Sequence, residues 1–158
     1  MSSTDAHAEA SEVSTPGTIA MKLEVVTLPV SDVDRAKSFY QSLGWRLDAD
    51  FTAGEEIRGV QFTPPQSQCS IHIGKGITAA DPGSADRLLL AVEDIQAARD
   101  DLISRGVDVS EVFESRPPAF ADVEGSSYFT YASFSDPDGN GWLLQEITNR
   151  IPGREWED

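Results

Sequence analysis

A repeated segment is the sequence feature that most constrains the fold of this chain. Residues 30–36 (VSDVDRA) and residues 92–98 (VEDIQAA) each place a valine and an acidic residue before a helical pattern. Both helical patterns end in a glycine with the same spacing, Gly44 in the first copy and Gly106 in the second. Two copies of one supersecondary unit that cannot bury its hydrophobic face alone must pack against each other. We therefore expect a ligand to bind in the seam or concavity between the copies.

The charge balance argues against several classes of partner. The 158 residues carry 12 basic and 27 acidic side chains, which gives a formal net charge of −15. Nucleic acids and anionic membranes both require basic surfaces, so we expect neither partner. No apolar run reaches the roughly 18 residues that span a membrane. The single cysteine, Cys69, excludes an intramolecular disulfide and is typical of a reducing compartment, so we expect a cytoplasmic location.

Hydrophobic periodicity predicts two tandem βαβββ modules in an α+β fold. Module one spans residues 21–77 and module two spans residues 85–149. The predicted strands lie near residues 23–30, 45–51, 57–63, 69–74, 87–92, 107–113, 127–135 and 141–148. The predicted helices span residues 33–43, with Ser31 or Asp32 as the N-cap, and 94–105. We interpret residues 1–20 as a disordered acidic arm and residues 150–158 as a C-terminal tail.

The two modules differ mainly in the loop at residues 114–127. Phe62, which precedes two prolines, corresponds to Phe134, which precedes Asp136 and Pro137. These two phenylalanines lie about ten positions further apart than the other equivalent residues of the repeat. An inserted loop of this kind serves either as a lid over a ligand or as a neutral surface excursion.

A turn before the last predicted strand carries a resemblance to a known family. Residues 136–140 read Asp-Pro-Asp-Gly-Asn, and each module has a Val-x-Asp sequence after its first strand. Together with the repeat, this pattern resembles the vicinal oxygen chelate superfamily, which includes glyoxalase I, the bleomycin- and fosfomycin-resistance proteins and extradiol dioxygenases. The resemblance covers residues 22–149. It implies that the modules form a curved mixed sheet around a cleft, with the helices on the outer face.

The resemblance also implies four metal-ligand positions, two in each module. In the family, His and Glu side chains of the first and last strands hold a divalent cation. The equivalent positions here are Val25, Arg87, Leu143 and either Ile71 or, with a register shift of one residue, His72. At least three of these side chains cannot bind a metal. We therefore predict no metal and no other cofactor, and we do not expect metal-dependent isomerisation or ring cleavage.

Strand alternation divides the side chains into a cleft face and a core face. With the family's ligand positions taken as cleft-facing, the predicted ligand-binding residues are Val25, Thr27, Arg87, Leu89, Tyr131, Leu143 and Gln145. The opposite face is apolar, and we expect helices to cover it. Its residues are Val26, Leu28, Val30, Leu88, Leu90, Val92, Trp142 and Leu144.

Three polar side chains are the candidates for specific interactions with a ligand. Arg87 in an apolar cleft would bind a carboxylate, a phosphate or a polarised carbonyl through paired hydrogen bonds, and the alternative is a surface arginine paired with Asp86. Gln145 either contacts the ligand or fills a satisfied hydrogen-bonding site. His72 is the candidate catalytic base, and the alternative is a structural histidine in a strand.

These features favour a metal-free small-molecule binding protein with an apolar cleft, as in the antibiotic-sequestering members of the family. We expect the ligand to be anionic or to contain a carbonyl group. One alternative is a glyoxalase-like lyase or isomerase that acts on a small oxygenated metabolite, with His72 as a metal-free base or in a rearranged metal site. Another is a regulatory or interaction scaffold. Exposed sheet edges and a tail that carries Ile151 and Trp156 predict a homodimer.

Overall fold

The computed structural model describes residues 15–156. Residues 1–14, which make up most of the predicted acidic arm, and residues 157–158 lie outside the described part. Residues 15–24 are exposed and form neither a helix nor a strand before the first module.

Module one is a four-stranded mixed sheet with one helix. Its elements are β1 (Val25–Pro29), α1 (Val33–Ser42), β2 (Arg46–Ala53), β3 (Ile57–Thr63) and β4 (Ser70–Lys75). The strand order is β1-β4-β3-β2, with β1 parallel to β4 and the other pairs antiparallel. The carboxylate of Asp32 begins α1 by accepting a hydrogen bond from the backbone N–H of Arg35. Gly44, at φ 81°, ends the helix in the left-handed conformation that glycine adopts without strain.

Module two repeats this plan and confirms the predicted α+β fold of two βαβββ units. Its elements are β5 (Leu88–Val92), α2 (Ile95–Ser104), β6 (Phe113–Glu114), a 3₁₀ turn (Pro118–Phe120), β7 (Thr130–Ser135) and β8 (Gly141–Glu146). The strand order β5-β8-β7-β6 is equivalent to that of module one, and β5 is parallel to β8. Each module therefore builds a sheet of its own.

One predicted strand, over residues 107–113, is largely wrong, because only its last residue belongs to β6. The alternation that suggested a strand has another cause. Val107 and Val109 are both buried in the core, at 8% and 6% exposure, without lying in a strand. The segment is held instead by Ser110, which exchanges hydrogen bonds with Ser133 on β7.

Both sheets share one hydrophobic core, and the predicted core face is confirmed. Leu28, Trp142 and Leu144 are buried in this core, and the other five predicted residues pack against it partly buried. The modules meet through aromatic rings, because the centroids of Tyr40 and Trp45 lie 6.2 and 5.1 Å from that of Trp142. Both apolar sheet faces turn towards this core, so the opposite face of each sheet does not take part in it. We call this opposite face the open face of the module.

A buried polar cluster joins the two modules at the Asp-Pro-Asp-Gly-Asn turn. Asp136 accepts hydrogen bonds from the hydroxyl of Tyr40 at 2.9 Å and from the side-chain amide of Asn140 at 2.8 Å. Asn140 also donates to the carbonyl of Pro29 at the end of β1 and accepts from the backbone N–H of Ala85. Burial, reinforced by the Asp136 carboxylate, raises the pKa of Tyr40, so the phenol stays protonated and donates. The turn therefore links module two to β1 and α1 through buried hydrogen bonds.

Candidate functional site

The open face of module two brings four predicted site residues together on an apolar surface. Leu89 on β5 lies beside Leu143 on β8, and Gln145 on β8 lies beside Tyr131 on β7. Leu89 is 51% exposed, which is unusual for a leucine in the interior of a strand. Phe113 on β6 stacks on Tyr131 with ring centroids 5.8 Å apart. The face therefore presents aliphatic groups and an aromatic pair.

Arg87 immediately precedes β5, next to this face. It lines a cavity of about 340 Å³ together with Ser133 and Leu143. The side chain is exposed, and within residues 15–156 its guanidinium forms no ion pair or hydrogen bond, so the alternative pairing with Asp86 is not observed. The backbone of Arg87 has φ 57°, a left-handed conformation that costs a non-glycine residue about 1–2 kcal/mol. A free guanidinium held at a cavity in this way can donate paired hydrogen bonds to an anionic or carbonyl group of a ligand.

The side chain of Gln145 is oriented by two hydrogen bonds, and this arrangement leaves one acceptor and one donor free for a ligand. Its Nε2 donates to the carbonyl of Tyr128 at 3.0 Å and to the hydroxyl of Tyr131 at 3.1 Å. The amide oxygen of Gln145 accepts from no described residue. Because the Tyr131 hydroxyl accepts from Gln145, it retains its own hydrogen for donation. The open face of module two thus offers one oriented acceptor and one oriented donor.

The open face of module one is polar by comparison. Thr27 on β1 lies beside His72 on β4, and His72 lies beside Gln61 on β3. The imidazole Nε2 of His72 is 2.7 Å from Oε1 of Gln61. Val25 is half-buried and lies beside Ser70 on β4.

The strand register identifies the fourth position implied by the superfamily as His72, not Ile71. Thr27 pairs with His72 just as its equivalent Leu89 pairs with Leu143. Ile71 pairs with Val26 on the other face and is buried in the core at 4% exposure. The structure therefore has the register, shifted by one residue, that places His72 at this position.

The described residues do not fit the divalent metal that the superfamily uses. His72 is accompanied at the other three positions by Val25, Arg87 and Leu143. The two aliphatic side chains have no lone pair to donate, and a guanidinium repels a cation. Across residues 15–156, moreover, no three His, Cys, Asp or Glu side chains are grouped so that they could hold a metal ion.

Sequence reasoning missed a polar network beside His72 that is centred on Asp48. Asp48 lies where the β2–β3 register shifts, and it accepts hydrogen bonds from Arg46 at 2.6 Å, from Gln61 at 3.2 Å and from the hydroxyl of Thr63. The Thr63 hydroxyl lies in turn 2.7 Å from that of Ser70. Hydrogen bonds, chiefly from Thr63 and then Arg46, hold the pKa of Asp48 below its usual range, so the carboxylate is ionised. The sequence signal that could have found part of this network is the alternation along β3, which places Gln61 and Thr63 on this face.

Arg116 stabilises the conformation of the inserted loop at residues 114–127 through hydrogen bonds to its backbone. Its guanidinium donates to the carbonyls of Val123 at 2.6 Å and Gly125 at 2.5 Å. The same group lies 4.3 Å from the ring centroid of Phe129. The insertion thus forms a closed loop, and its role as a lid stays a prediction.

A larger cavity, of about 800 Å³, lies at the other end of module one, between the start of α1 and the β2–β3 turn. It contains none of the predicted site residues. Two cations line it: Arg58 is paired with Asp34 at 2.7 Å and Asp50 at 3.0 Å, and Lys75 donates to the carbonyl of Glu55 at 3.1 Å. Hydrogen bonds, chiefly from Arg58, also hold the pKa of Asp50 below its usual range. Because Arg58 is already ion-paired and Lys75 is hydrogen-bonded within the protein, this cavity is a weaker candidate site than the surface around Arg87.

The sequence and the fold together identify the family. Residues 22–144 match the model of the Glyoxalase/Bleomycin resistance protein/Dioxygenase superfamily, and the chain belongs to this superfamily. No curated protein sequence matches the chain. No helix within residues 15–156 is long and apolar enough to cross a membrane. The cytoplasmic location stays a prediction.

Solved structures that share the fold include an antibiotic binding protein and other members of the superfamily. TnmS3, an antibiotic binding protein from Streptomyces sp. CB03234, is 30% identical with a TM-score of 0.65, over 83% of this chain and 99% of that one. A glyoxalase/bleomycin resistance protein from the same strain is 32% identical with a TM-score of 0.60, over 78% and 99%. A superfamily member from Sphaerobacter thermophilus DSM 20745 is 27% identical with a TM-score of 0.62, over 80% and 98%.

Proposed function

We propose that this protein binds a small, largely apolar molecule, with Arg87 as the anchor and without a metal ion. The observation that carries the proposal is the unpaired guanidinium beside the apolar open face of module two. A ligand with a carboxylate or a carbonyl group would satisfy this guanidinium while its apolar part covers Leu89 and Leu143. The similarity to an antibiotic-binding protein supports a ligand of this general kind.

The geometry supports binding better than it supports a lyase or isomerase. His72 is the candidate base, and within residues 15–156 its imidazole hydrogen-bonds only to Gln61. A proton-transfer reaction benefits from a second acid or base beside the first. The nearest ionised group of the network, Asp48, is already occupied by three donors.

A thermal-shift screen in the presence of a chelator tests the binding function. The panel should contain antibiotics, polycyclic aromatics and aromatic carboxylates at concentrations up to the millimolar range. A ligand at one hundred times its Kd stabilises the folded state by about 2.7 kcal/mol, which raises the melting temperature by several degrees. A chemically broad panel without a single stabilising compound would count against a binding protein.

We also propose that two copies of the chain complete the cleft. Within one chain, the open faces lie on two separate sheets whose other faces share the core. Large apolar side chains remain exposed on both open faces, with exposures of 49% for Phe51, 40% for Ile57, 51% for Leu89 and 41% for Phe113. A homodimer that places module one of each copy against module two of the other would cover these side chains. It would also bring Arg87 of one copy towards His72 of the other.

Light scattering at micromolar concentration should therefore give twice the 17.1 kDa mass of one chain. Leu89→Asp puts a charge into the proposed interface and should shift the protein towards the monomer. Ile103→Asp is the matched control, because Ile103 is similarly exposed, at 44%, but lies on α2. A parent mass near 17.1 kDa, or equal dimerisation of both variants, contradicts the proposed interface.

A further inference from the structure

We propose that a hydrogen-bond relay from Asp48 through Gln61 fixes His72 as an acceptor for a hydroxyl group of the ligand. The proposal rests on the binding function above and narrows the ligand class. It predicts a largely apolar molecule that carries a hydroxyl, such as a phenol, in addition to the carbonyl or carboxylate that Arg87 would bind.

Asp48 determines the orientation of the Gln61 side chain. An ionised carboxylate can only accept hydrogen bonds, so Gln61 must direct its NH₂ group towards Oδ2 of Asp48, at 3.2 Å. Arg46 and Thr63 hold the carboxylate from other directions. With its NH₂ group placed in this way, Gln61 presents Oε1 to His72.

Gln61 in turn determines the tautomer of His72. The amide oxygen can only accept, so Nε2 of the imidazole, 2.7 Å away, must carry a hydrogen. In the neutral ring the other nitrogen, Nδ1, then keeps its lone pair. No group within residues 15–156 donates to this nitrogen. The relay therefore leaves an oriented and unsatisfied acceptor on the open face of module one.

The surroundings of His72 indicate which donor can reach it. The ring is half-buried, and its neighbour Thr27 is exposed, with a hydroxyl that has no partner among the described residues. In the proposed dimer the opposing surface is the apolar face that carries Leu89 and Leu143. A hydroxyl on an otherwise apolar ligand satisfies the acceptor without placing an uncompensated charge between these surfaces.

The relay can be tested without any ligand by NMR of the His72 imidazole. The chain has two histidines, so replacing His7 with glutamine leaves His72 as the one source of imidazole signals. In His7→Gln protein with ¹⁵N-labelled imidazole, spectra at pH 8.5 should show the Nε2–H tautomer of His72, with slow exchange of that hydrogen. Gln61→Leu in this background should accelerate the exchange and populate the Nδ1–H tautomer. Gln96→Leu, at an exposed position on α2, should change neither. An Nδ1–H tautomer in the parent overturns the relay.

A matched pair of probes tests the ligand class. The compounds 6-hydroxy-2-naphthoate and 6-methoxy-2-naphthoate share an apolar ring and a carboxylate, and they differ in the hydroxyl donor. We expect the parent protein to bind the hydroxyl compound about fivefold more tightly, which is the effect of one hydrogen bond. His72→Phe and Gln61→Leu should bring the ratio close to one while affinity for the methoxy compound changes less than twofold.

The possible failures are distinguishable. If the parent binds both naphthoates equally, or if the preference survives in His72→Phe, the acceptor role of His72 is wrong while the binding function stands. If neither naphthoate binds, the ligand class named here is wrong. A panel that also lacks any stabilising compound contradicts the binding function itself, and the imidazole spectra still decide the relay.

Discussion

Asp136→Ala is expected to lower the free energy of unfolding by about 3–5 kcal/mol, the range for breaking a buried network around a charge. The carboxylate accepts from Tyr40 and from the Asn140 side chain, and also from the backbone N–H groups of Asp138 and Asn140. Alanine leaves all of these donors without their partner in a site where Tyr40 and Asn140 are fully buried. Tyr40 also accepts from the indole N–H of Trp142, so the loss extends into the shared core.

Urea denaturation measures this loss, and a second aspartate in the same turn provides the control. The Asp138 side chain accepts from Ser31 at the surface, so Asp138→Ala should cost only about 1 kcal/mol. Tyr40→Phe keeps the ring and removes one donor, so it should fall between the two. An Asp136→Ala loss no larger than that of Asp138→Ala would show that the cluster does not hold the modules together.

Arg87→Ala is expected to weaken ligand binding by about 1.5–3 kcal/mol, the range for hydrogen bonds to a charged group, or roughly 10- to 150-fold in Kd. Folding should change little, because the side chain is exposed and unpaired in the described structure. Arg87→Lys should recover only part of the affinity, since an ammonium cannot reproduce the planar fork. Arg87→Gly should abolish the anchor yet stabilise the fold by up to ~1 kcal/mol, because glycine tolerates φ 57°.

Titration calorimetry with a stabilising ligand from the panel measures these differences. Arg105→Ala is the matched control, because Arg105 is paired with Asp101 on α2, away from the open faces, and its loss should leave Kd unchanged. If Arg87→Ala binds as tightly as the parent, Arg87 does not contact the ligand and the assignment of the open face is wrong.

The sequence was sufficient to predict the modules because their boundaries are local. Asp32 and Asp94 both form N-caps by accepting a backbone N–H three residues on, and Gly44 and Gly106 both adopt positive φ. These signals need no knowledge of tertiary contacts. The failure over residues 107–113 has the opposite cause, since burial in the core imitates the alternation of a strand.

The site was only partly accessible to sequence reasoning. Alternation correctly separated the core face from the open faces, because the two-residue period of a strand leaves no other choice once one position is assigned. It could not fix the register around His72, which depends on the length of the turn between β3 and β4. Asp48 was missed because its role arises from a local irregularity in the β2–β3 pairing. The contact of Tyr40 with Asp136 joins residues 96 positions apart, which periodicity cannot reveal.

We propose that the protein binds its ligand through Arg87 and its apolar surroundings without a metal ion. The most direct test is calorimetric titration of the best stabilising ligand into protein dialysed against a chelator and then into the same protein with one equivalent of Zn²⁺, Ni²⁺, Mn²⁺ or Fe²⁺. We expect the same Kd and stoichiometry in every case. Binding that disappears in the chelator and returns with one equivalent of a divalent metal would contradict it.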